Sequence, residues 1–463
     1  THLQFAAMPI TSYPPSDSDA DHTLLELPYC AQSGELAAAL RDLPELVWFD
    51  SGSAGQGQWD IISAAPDVVV EQQLGEPPLF ATIAELLAAI PRVADPSLPF
   101  TGGVIALLGY AANHTALRIA PAPSDPQGCQ SLPLARAGRY RWAAMTDHHS
   151  RRTLLFFDSS CSAAFIDQIR QRLHSGAAAH SPFQLTGAFA ASTSTGDYRA
   201  AIAAVREFIH AGDCYQANIA QHFSAPYRGD CFAAYRALRD ALPSPHSGYW
   251  QWRHNGGEVA LLSLSPERFI QLEQNRVETQ PIKGTIARHP EPQQDRDNAL
   301  WLQQSEKNRA ENVMIVDLMR NDLSRCCEPR SVRVDKLFAL HSYSNVHHLI
   351  SSVSGTLKSD CSSAELLAEC FPGGSITGAP KRRSMQIIDQ LEPVGRSYYC
   401  GSLAYLSSNG RMDSSITIRT AVAAAGSIHL WGGGGIVADS DPDAEYRESL
   451  AKIALIMSTL EAL

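Results

Sequence analysis

Cys214-Tyr215-Gln216-Ala217-Asn218-Ile219-Ala220-Gln221-His222-Phe223 alternates with a period of two, placing Tyr215, Ala217 and Ile219 on one face and Gln216 and Asn218 on the other. This is the pattern of a β-strand, whose successive side chains point to opposite sides of a sheet. Just upstream the period changes. Tyr198, Ile202, Val205 and Ile209 are spaced i, i+4, i+7 and i+11, which predicts a helix ended by Gly212. Downstream, hairpins are signalled at Gln274-Asn275, at Asn409-Gly410 and at Gly426, Asn-Gly being the strongest of the three. No strand, glycine-rich turn and helix of the dinucleotide-binding kind follows, and no internal repeat is visible.

Further out, residues 174–196 turn to small and polar side chains, the composition of a linker. The expected organisation is a loose arm at 1–21, an N-terminal α+β segment at 22–190 and a catalytic domain at 191–463. In the N-terminal segment, β-rich runs at 46–49, 104–107 and 153–157 are interrupted by helical stretches near 35–41 and 163–173. The fold class is α+β, with antiparallel β-sheets packed in the middle and helices outside.

At 463 residues the chain exceeds the roughly 250–300 residues at which one core stops growing, so more than one domain is expected. A net charge of −11 argues against a general nucleic-acid binder, because neutralising phosphates takes basic clusters and the best one is Lys381-Arg382-Arg383. An anionic small substrate stays compatible if a local cation, a helix N-terminus or a metal ion holds it. The ten cysteines are irregularly spaced with no Cys-x-x-Cys pair, so they read as ordinary thiols in a reducing cytoplasm. Residues 1–21 lack a basic and then apolar segment, and no apolar run approaches the ~20 residues that span a bilayer. Neither secretion nor a membrane is expected.

Chemistry-bearing residues fall in six places. Gly432-Gly433-Gly434-Gly435 follows a strand at 427–431; glycines in series cost conformational entropy and let backbone N–H groups converge on an anion, so a nest is expected there. The helix at 443–460 has an apolar stripe of Tyr446, Leu450, Ile453, Met457 and Leu460, with Glu445, Glu448 and Lys452 on its other face; a solvated, ion-paired face is the plain alternative. A helix at 305–323, with Val313, Val316 and Leu323 among its apolar residues, carries Glu311. This is either surface charge or a partner of Glu448 around Mg²⁺, which takes carboxylate oxygens, water and substrate. Phe371-Pro372-Gly373-Gly374-Ser375-Ile376-Thr377-Gly378-Ala379-Pro380-Lys381 leads into a helix expected to begin at Pro380, whose free N–H groups suit a carboxylate; Ala379-Pro380 before Lys381 breaks the P-loop pattern. Glu267 sits just past the apolar strand 259–264, as a general acid or a strand-end ion pair. Lys283, in Pro281-Ile282-Lys283-Gly284-Thr285, is a surface lysine or a desolvated nucleophile.

Taken in order, these segments resemble component I of the chorismate-utilising enzymes, the anthranilate synthase component I family. The matching motifs are Gly-Asp-Cys-Tyr-Gln from 212, Ser-Pro-Glu-Arg-Phe from 265, Pro-Ile-Lys-Gly-Thr from 281, Ala-Glu-Asn from 310 into 316–323, His347-His348-Leu349, the loop 371–381, Ile418-Arg419-Thr420 and the block 432–452. The likeness covers about residues 195–460 and implies that family's fold, chorismate as substrate and Mg²⁺ as cofactor. It also implies that Glu311 and Glu448 bind Mg²⁺, with Glu445 nearby through water, and that the metal holds the ring carboxylate with help from Lys452 and the backbone at Thr377 and Gly378. Arg419 and Tyr405, with N–H groups at Gly433 and Gly434, would hold the enolpyruvyl carboxylate. His348 would lie against the substrate and Glu267 would protonate the departing C4 hydroxyl.

Within the resemblance two positions set the product. Isochorismate and salicylate synthases carry a lysine where this chain has Gln216, and anthranilate synthases have alanine where it has Lys283. The lysine implies attack at C2 followed by ammonia at C4, giving 4-amino-4-deoxychorismate, a precursor of 4-aminobenzoate and folate. Anthranilate formation and silent chorismate binding are the alternatives. The chain ends soon after Lys452, so ammonia is expected from a separate glutamine amidotransferase subunit or from solution. Asn308 departs from the family pattern, many relatives having an acid there. Leu25-Glu26-Leu27-Pro28-Tyr29 is no obvious match to the tryptophan-inhibited type, and inhibition is not expected.

Overall fold

Val47, Ile61, Trp250, Leu261 and Val422 are buried in one core, while Leu46, Trp48, Ile62, Tyr249, Leu262 and Leu430 are buried in another. Alternate residues of the same strands thus point into different cores, which requires a sheet covered on both faces. The computed structural model describes residues 11–12, 22–52, 57–176, 181–343 and 346–463. It contains a 14-stranded and a 10-stranded sheet, built from antiparallel pairs. The first core lies between the two sheets. The second lies between the larger sheet and helices that include Ser33–Leu40, Ala163–Ser175, Cys231–Ala241 and Pro442–Glu461.

The two segments expected at 22–190 and 191–463 share both sheets. In the larger, Leu46–Asp50 pairs with Ser247–His254, Trp48 opposite Tyr249. In the smaller, Gly103–Leu108 pairs with Ser402–Ser407, Ala106 opposite Ala404. The boundary at 190 therefore does not separate two sheets. Of the expected arm only Thr11–Ser12 is described, paired with Leu25 and Glu26; the rest of 1–21 lies outside the described residues, as do 177–180 of the expected linker. Past them, Gln184–Leu185 and Ala190–Ala191 add short strands to Gln216–Arg228.

Most local expectations hold. The helix before the opening strand is Thr195–His210, capped by the Ser194 hydroxyl, with Tyr198, Ile202 and Val205 buried and Gly212 at φ +82 just beyond it. The Gln274-Asn275, Asn409-Gly410 and Gly426 turns each join paired strands. Three expectations change. The four glycines are not a nest: Gly432 to Gly435 lie inside strand Ser427–Ile436, paired in turn with Gln221, Ala220, Ile219 and Asn218. In Pro442–Glu461 the buried stripe is Glu445, Ser449, Ile453, Ile456 and Leu460, so Glu445 faces inward while Glu448 stays exposed. Val313 is exposed; Ile315, Val316, Met319 and Leu323 hold helix Glu306–Cys326 against the core.

Candidate active site

Lys283 lies on strand Ile282–Ala287, whose register against Val346–Thr356 shifts between Ile282 and Thr285. Gly284 at φ +90 accompanies the irregularity, and bulges of this kind re-aim a side chain. The Lys283 ammonium approaches the carbonyl oxygen of Ser375 at 3.5 Å. Burial holds its pKa below the ordinary lysine value, helped by Lys452 and opposed by Glu311, Glu267 and Glu448. This is the environment in which an amine can be neutral and nucleophilic.

Glu267 occupies the link between strands Gly257–Ser263 and Arg268–Glu273 and is 5% exposed. Burial pushes its carboxyl up to about 7, against the lowering effects of the Ser375 hydroxyl, the Lys283 charge and the Ile282 backbone. Ser375 Oγ donates to Glu267 Oε1 at 2.6 Å. A carboxyl that keeps its proton near neutrality is what proton donation to a leaving group requires.

The glycine run makes room for these groups. A Cβ at Gly435 would stand 2.5 Å from Gln216 Nε2 and 3.2 Å from Lys283 Nζ, and one at Gly434 would stand 3.3 Å from Glu445 Oε2 and 3.6 Å from Lys452 Nζ. Lys452 Nζ donates to the Gly433 carbonyl at 2.9 Å. Gly433 and Gly434 are thus brought to the site as a bare strand. Gly378, at φ +143, lies so close to the Gln216 carbonyl that any side chain would collide with it. The Thr377 hydroxyl donates to the Gly373 carbonyl at 2.9 Å. The following helix is Lys381–Leu391, with Pro380 as its cap residue rather than its first position.

Two helices bring three carboxylates to the same side. Lys307 Nζ lies 3.5 Å from Glu445 Oε1 and 4.0 Å from Glu311 Oε1, and Lys452 lies 2.9 Å from Glu448. Burial raises the Glu311 pKa, opposed by the charges of Lys283 and Lys307 and helped to a lesser extent by those of Glu445 and Glu448. Among the described residues no three His, Cys, Asp or Glu side chains form a ready metal cluster. The donor chemistry nevertheless fits a hard divalent cation, because all three are carboxylates, the ligand class that Mg²⁺ takes. The Asn308 amide donates to Ser305 Oγ at 2.9 Å, and its side chain packs over Gly284, beside Lys283.

An opposite arrangement is built around Arg419, which is half-buried at φ +50. Burial lowers its pKa, and among the described residues no carboxylate pairs with it. A guanidinium taken partly out of water without its own anion is a receptor for one. His348 stands beside it, pushed down to about 3 by burial and by the Arg419 charge; its Nδ1 meets Thr285 Oγ1 at 2.7 Å.

Tyr405 is not part of this site. It lines a separate cavity of about 460 Å³ with Phe49, Arg268 and Asp413, edge-on to Phe49 and Phe100 at 5.4 and 5.9 Å. Its register opposite Asp413 on the neighbouring strand sets that direction. Two members of the basic cluster are ion-paired within the chain: Lys381 with Asp322 at 2.7 Å and Arg383 with Asp213 at 2.9 Å, while Arg382 stays exposed. Sequence reasoning gave no role to Lys307, although its i, i+4 spacing from Glu311 is a visible signal. Ser375, inside the loop 371–381, carries no local signal that sets it apart from its neighbours. The Gln216 amide and the Asn218 side-chain oxygen are buried without hydrogen-bond partners among the described residues, which strand alternation alone does not reveal.

Residues 44–458 match the chorismate binding enzyme family, and the chain belongs to it. Aminodeoxychorismate synthase component 1 of Klebsiella aerogenes is 45% identical over 369 residues, 79% of this chain and 79% of that protein. The Escherichia coli K12 protein of the same name is 42% identical, over 79% and 78% of the two chains. Anthranilate synthase component 1 of Streptomyces coelicolor is 34% identical, over 88% and 82%. The crystal structure of anthranilate synthase component I from Streptococcus pneumoniae superposes with a TM-score of 0.75 at 27% identity, covering 87% of this chain and 92% of that one.

Proposed function

We propose that this chain is the synthase component that aminates chorismate to 4-amino-4-deoxychorismate, in 4-aminobenzoate and folate synthesis. The observation that carries the reading is Lys283 Nζ, desolvated and within electrostatic reach of Glu267 at the site of a chorismate-binding fold. The Klebsiella and Escherichia relatives named for this activity support it.

Arg419 binds the enolpyruvyl carboxylate, and neutral His348 packs against the substrate without adding charge. Lys283, as the free amine, attacks C2 while Glu267 gives its proton to the C4 hydroxyl, which leaves as water. Ammonia then adds at C4, the amine of Lys283 departs from C2, and one proton returns to Glu267. Glu311 and Glu448, with Glu445 beside them, would hold Mg²⁺, whose charge would help to bind the ring carboxylate. Lys452 and the backbone at Thr377 and Gly378 frame that end, and the backbone at Gly433 and Gly434 joins Arg419 at the enolpyruvyl carboxylate. Ammonia comes from a glutamine amidotransferase partner, the second component that the relatives' names imply, or directly from solution. The reaction belongs in the cytoplasm: ten thiols are free, and no described helix is long and apolar enough to cross a membrane.

The test is product identity. Incubation with chorismate, Mg²⁺ and an ammonium salt should yield a compound that a lyase converts to 4-aminobenzoate; direct appearance of fluorescent anthranilate would overturn the assignment.

A further inference from the structure

Ser375 touches both reacting groups of the proposed chemistry. It is buried in the turn Gly374–Ile376. Its hydroxyl donates to Glu267 Oε1 at 2.6 Å, and its carbonyl lies 3.5 Å from Lys283 Nζ. The turn itself is pinned. A Cβ at Gly373 would lie 2.6 Å from Ile416 Cδ1, and one at Gly374 would lie 2.5 Å from Leu318 Cδ2, so the backbone is pressed against neighbouring side chains on both sides.

One residue further on, the Ile376 carbonyl accepts from Arg396 Nη1 at 3.1 Å, while Arg396 Nη2 donates to the Asn218 carbonyl at 2.6 Å. Arg396 is locked to Glu392 by two hydrogen bonds of 2.7 and 2.8 Å. Glu392 Oε1 also accepts from the Ala220 backbone at 2.7 Å. The pair is almost fully buried, with side-chain exposures of 1% and 5%. A buried ion pair is a weak source of stability. Here its hydrogen bonds tie the turn to the strand that carries Gln216 and Asn218.

We infer that Ser375 is a positioning residue that couples the acid to the nucleophile: its hydroxyl fixes which oxygen of Glu267 delivers the proton, and its carbonyl orients the Lys283 amine. A protonated carboxyl carries one O–H. With Oε1 accepting from Ser375, the proton resides on Oε2, the oxygen left to face the leaving hydroxyl. A neutral amine that donates one N–H to the Ser375 carbonyl has its lone pair directed away from that carbonyl, toward the ring. Both constraints come from one residue, so the two reacting groups keep their mutual geometry when substrate enters. The Glu392–Arg396 pair sets the height of the turn through Ile376.

This inference rests on the proposed amination of chorismate, and the test separates the two. Wild type, Ser375→Ala and Ser375→Thr are assayed with chorismate, Mg²⁺ and an ammonium salt, with thermal unfolding measured in parallel. Ser375→Ala should lower kcat at least about tenfold, part of the 10²–10⁴-fold that a positioned proton donor contributes. Its KM for chorismate should change less than about twofold, because the removed contact orients groups and does not bind substrate. Ser375→Thr keeps the hydroxyl and should recover most of the rate. A Ser375→Ala enzyme with wild-type kcat overturns the inference and leaves the function standing. So does a folded variant whose KM rises with kcat unchanged. A wild-type chain inert toward chorismate and ammonium overturns both.

Discussion

Two polar regions of similar composition lie within this molecule and differ in how their charges are balanced. Around the 460 Å³ cavity that holds Tyr405, every cation is answered locally. Arg268 meets Asp413 through two hydrogen bonds of 3.1 and 3.0 Å, Arg239 meets Asp50 at 2.6 Å and Arg411 meets Glu273 at 3.0 Å. Around Lys283 the balance is only partly closed: Lys452 meets Glu448 at 2.9 Å and Lys307 meets Glu445 at 3.5 Å, but among the described residues Arg419 has no carboxylate, Lys283 has a carbonyl at 3.5 Å, and the nearest ammonium to Glu311 is 4.0 Å away. Internally paired charges hold a structure together, whereas unpaired and partly desolvated ones await a ligand or a proton. Chorismate, with two carboxylates and a leaving hydroxyl, supplies the missing partners.

Removing the charge that the chemistry uses should break this contrast most sharply. Lys283→Ala should cut kcat by about 10³-fold or more, as loss of a nucleophile does, while Mg²⁺-dependent chorismate binding measured by calorimetry is largely retained. Unchanged turnover would remove the covalent route. Arg419→Ala should raise the chorismate KM about tenfold to a hundredfold, from the ~1.5–3 kcal/mol of a hydrogen bond to a charged group; an unchanged KM would show that another group receives the carboxylate.

Glu267 sharpens the comparison through pH. Its folded carboxyl titrates at about 7 against an ordinary 4.5. The folded state therefore binds the extra proton, and stability is lost as pH rises from about 4.5 through 7. Glu267→Gln, which cannot ionise, should be more stable than wild type at pH 8 by on the order of 2–3 kcal/mol and nearly equal to it at pH 4.5, as read by denaturant unfolding. In the wild type kcat should fall as pH rises through about 7, because the acid form of Glu267 is depleted. The smallest effect belongs to the other region: Tyr405→Phe should leave kcat and KM within about twofold, since its contacts are aromatic rings away from the reacting groups. A large loss there would return Tyr405 to the site.

Local signals in the sequence carried far. Hairpin turns at 274–275 and 409–410, the helix before Gly212, and the strand-end positions of Glu267 and Lys283 each depend on a few neighbouring residues. What escaped depends on distant ones. The pairing of residues 46–50 with 247–251 leaves no local mark, so a break in composition near 190 looked like a domain boundary. Four glycines suit either an anion nest or a crowded strand, and only pairing with residues 218–221 decides for the strand. Glu445 was placed on the open face because Tyr446 and Leu450 suggested the buried one, yet packing turned the helix so that Glu445 and Ser449 face inward. Tyr405 enters only through the family resemblance, and the sheet face that removes it is set by pairing with Asp413.

Lys283 as the attacking group leaves a covalent trace, and that trace is the most direct test. The protein should be incubated with chorismate and Mg²⁺ in the absence of ammonia, then analysed by intact-mass and peptide mass spectrometry. A chorismate-derived adduct should appear on the peptide carrying Lys283, be absent from Lys283→Ala, and be discharged when an ammonium salt is added. An unmodified Lys283 in an enzyme that aminates chorismate at full rate would contradict it.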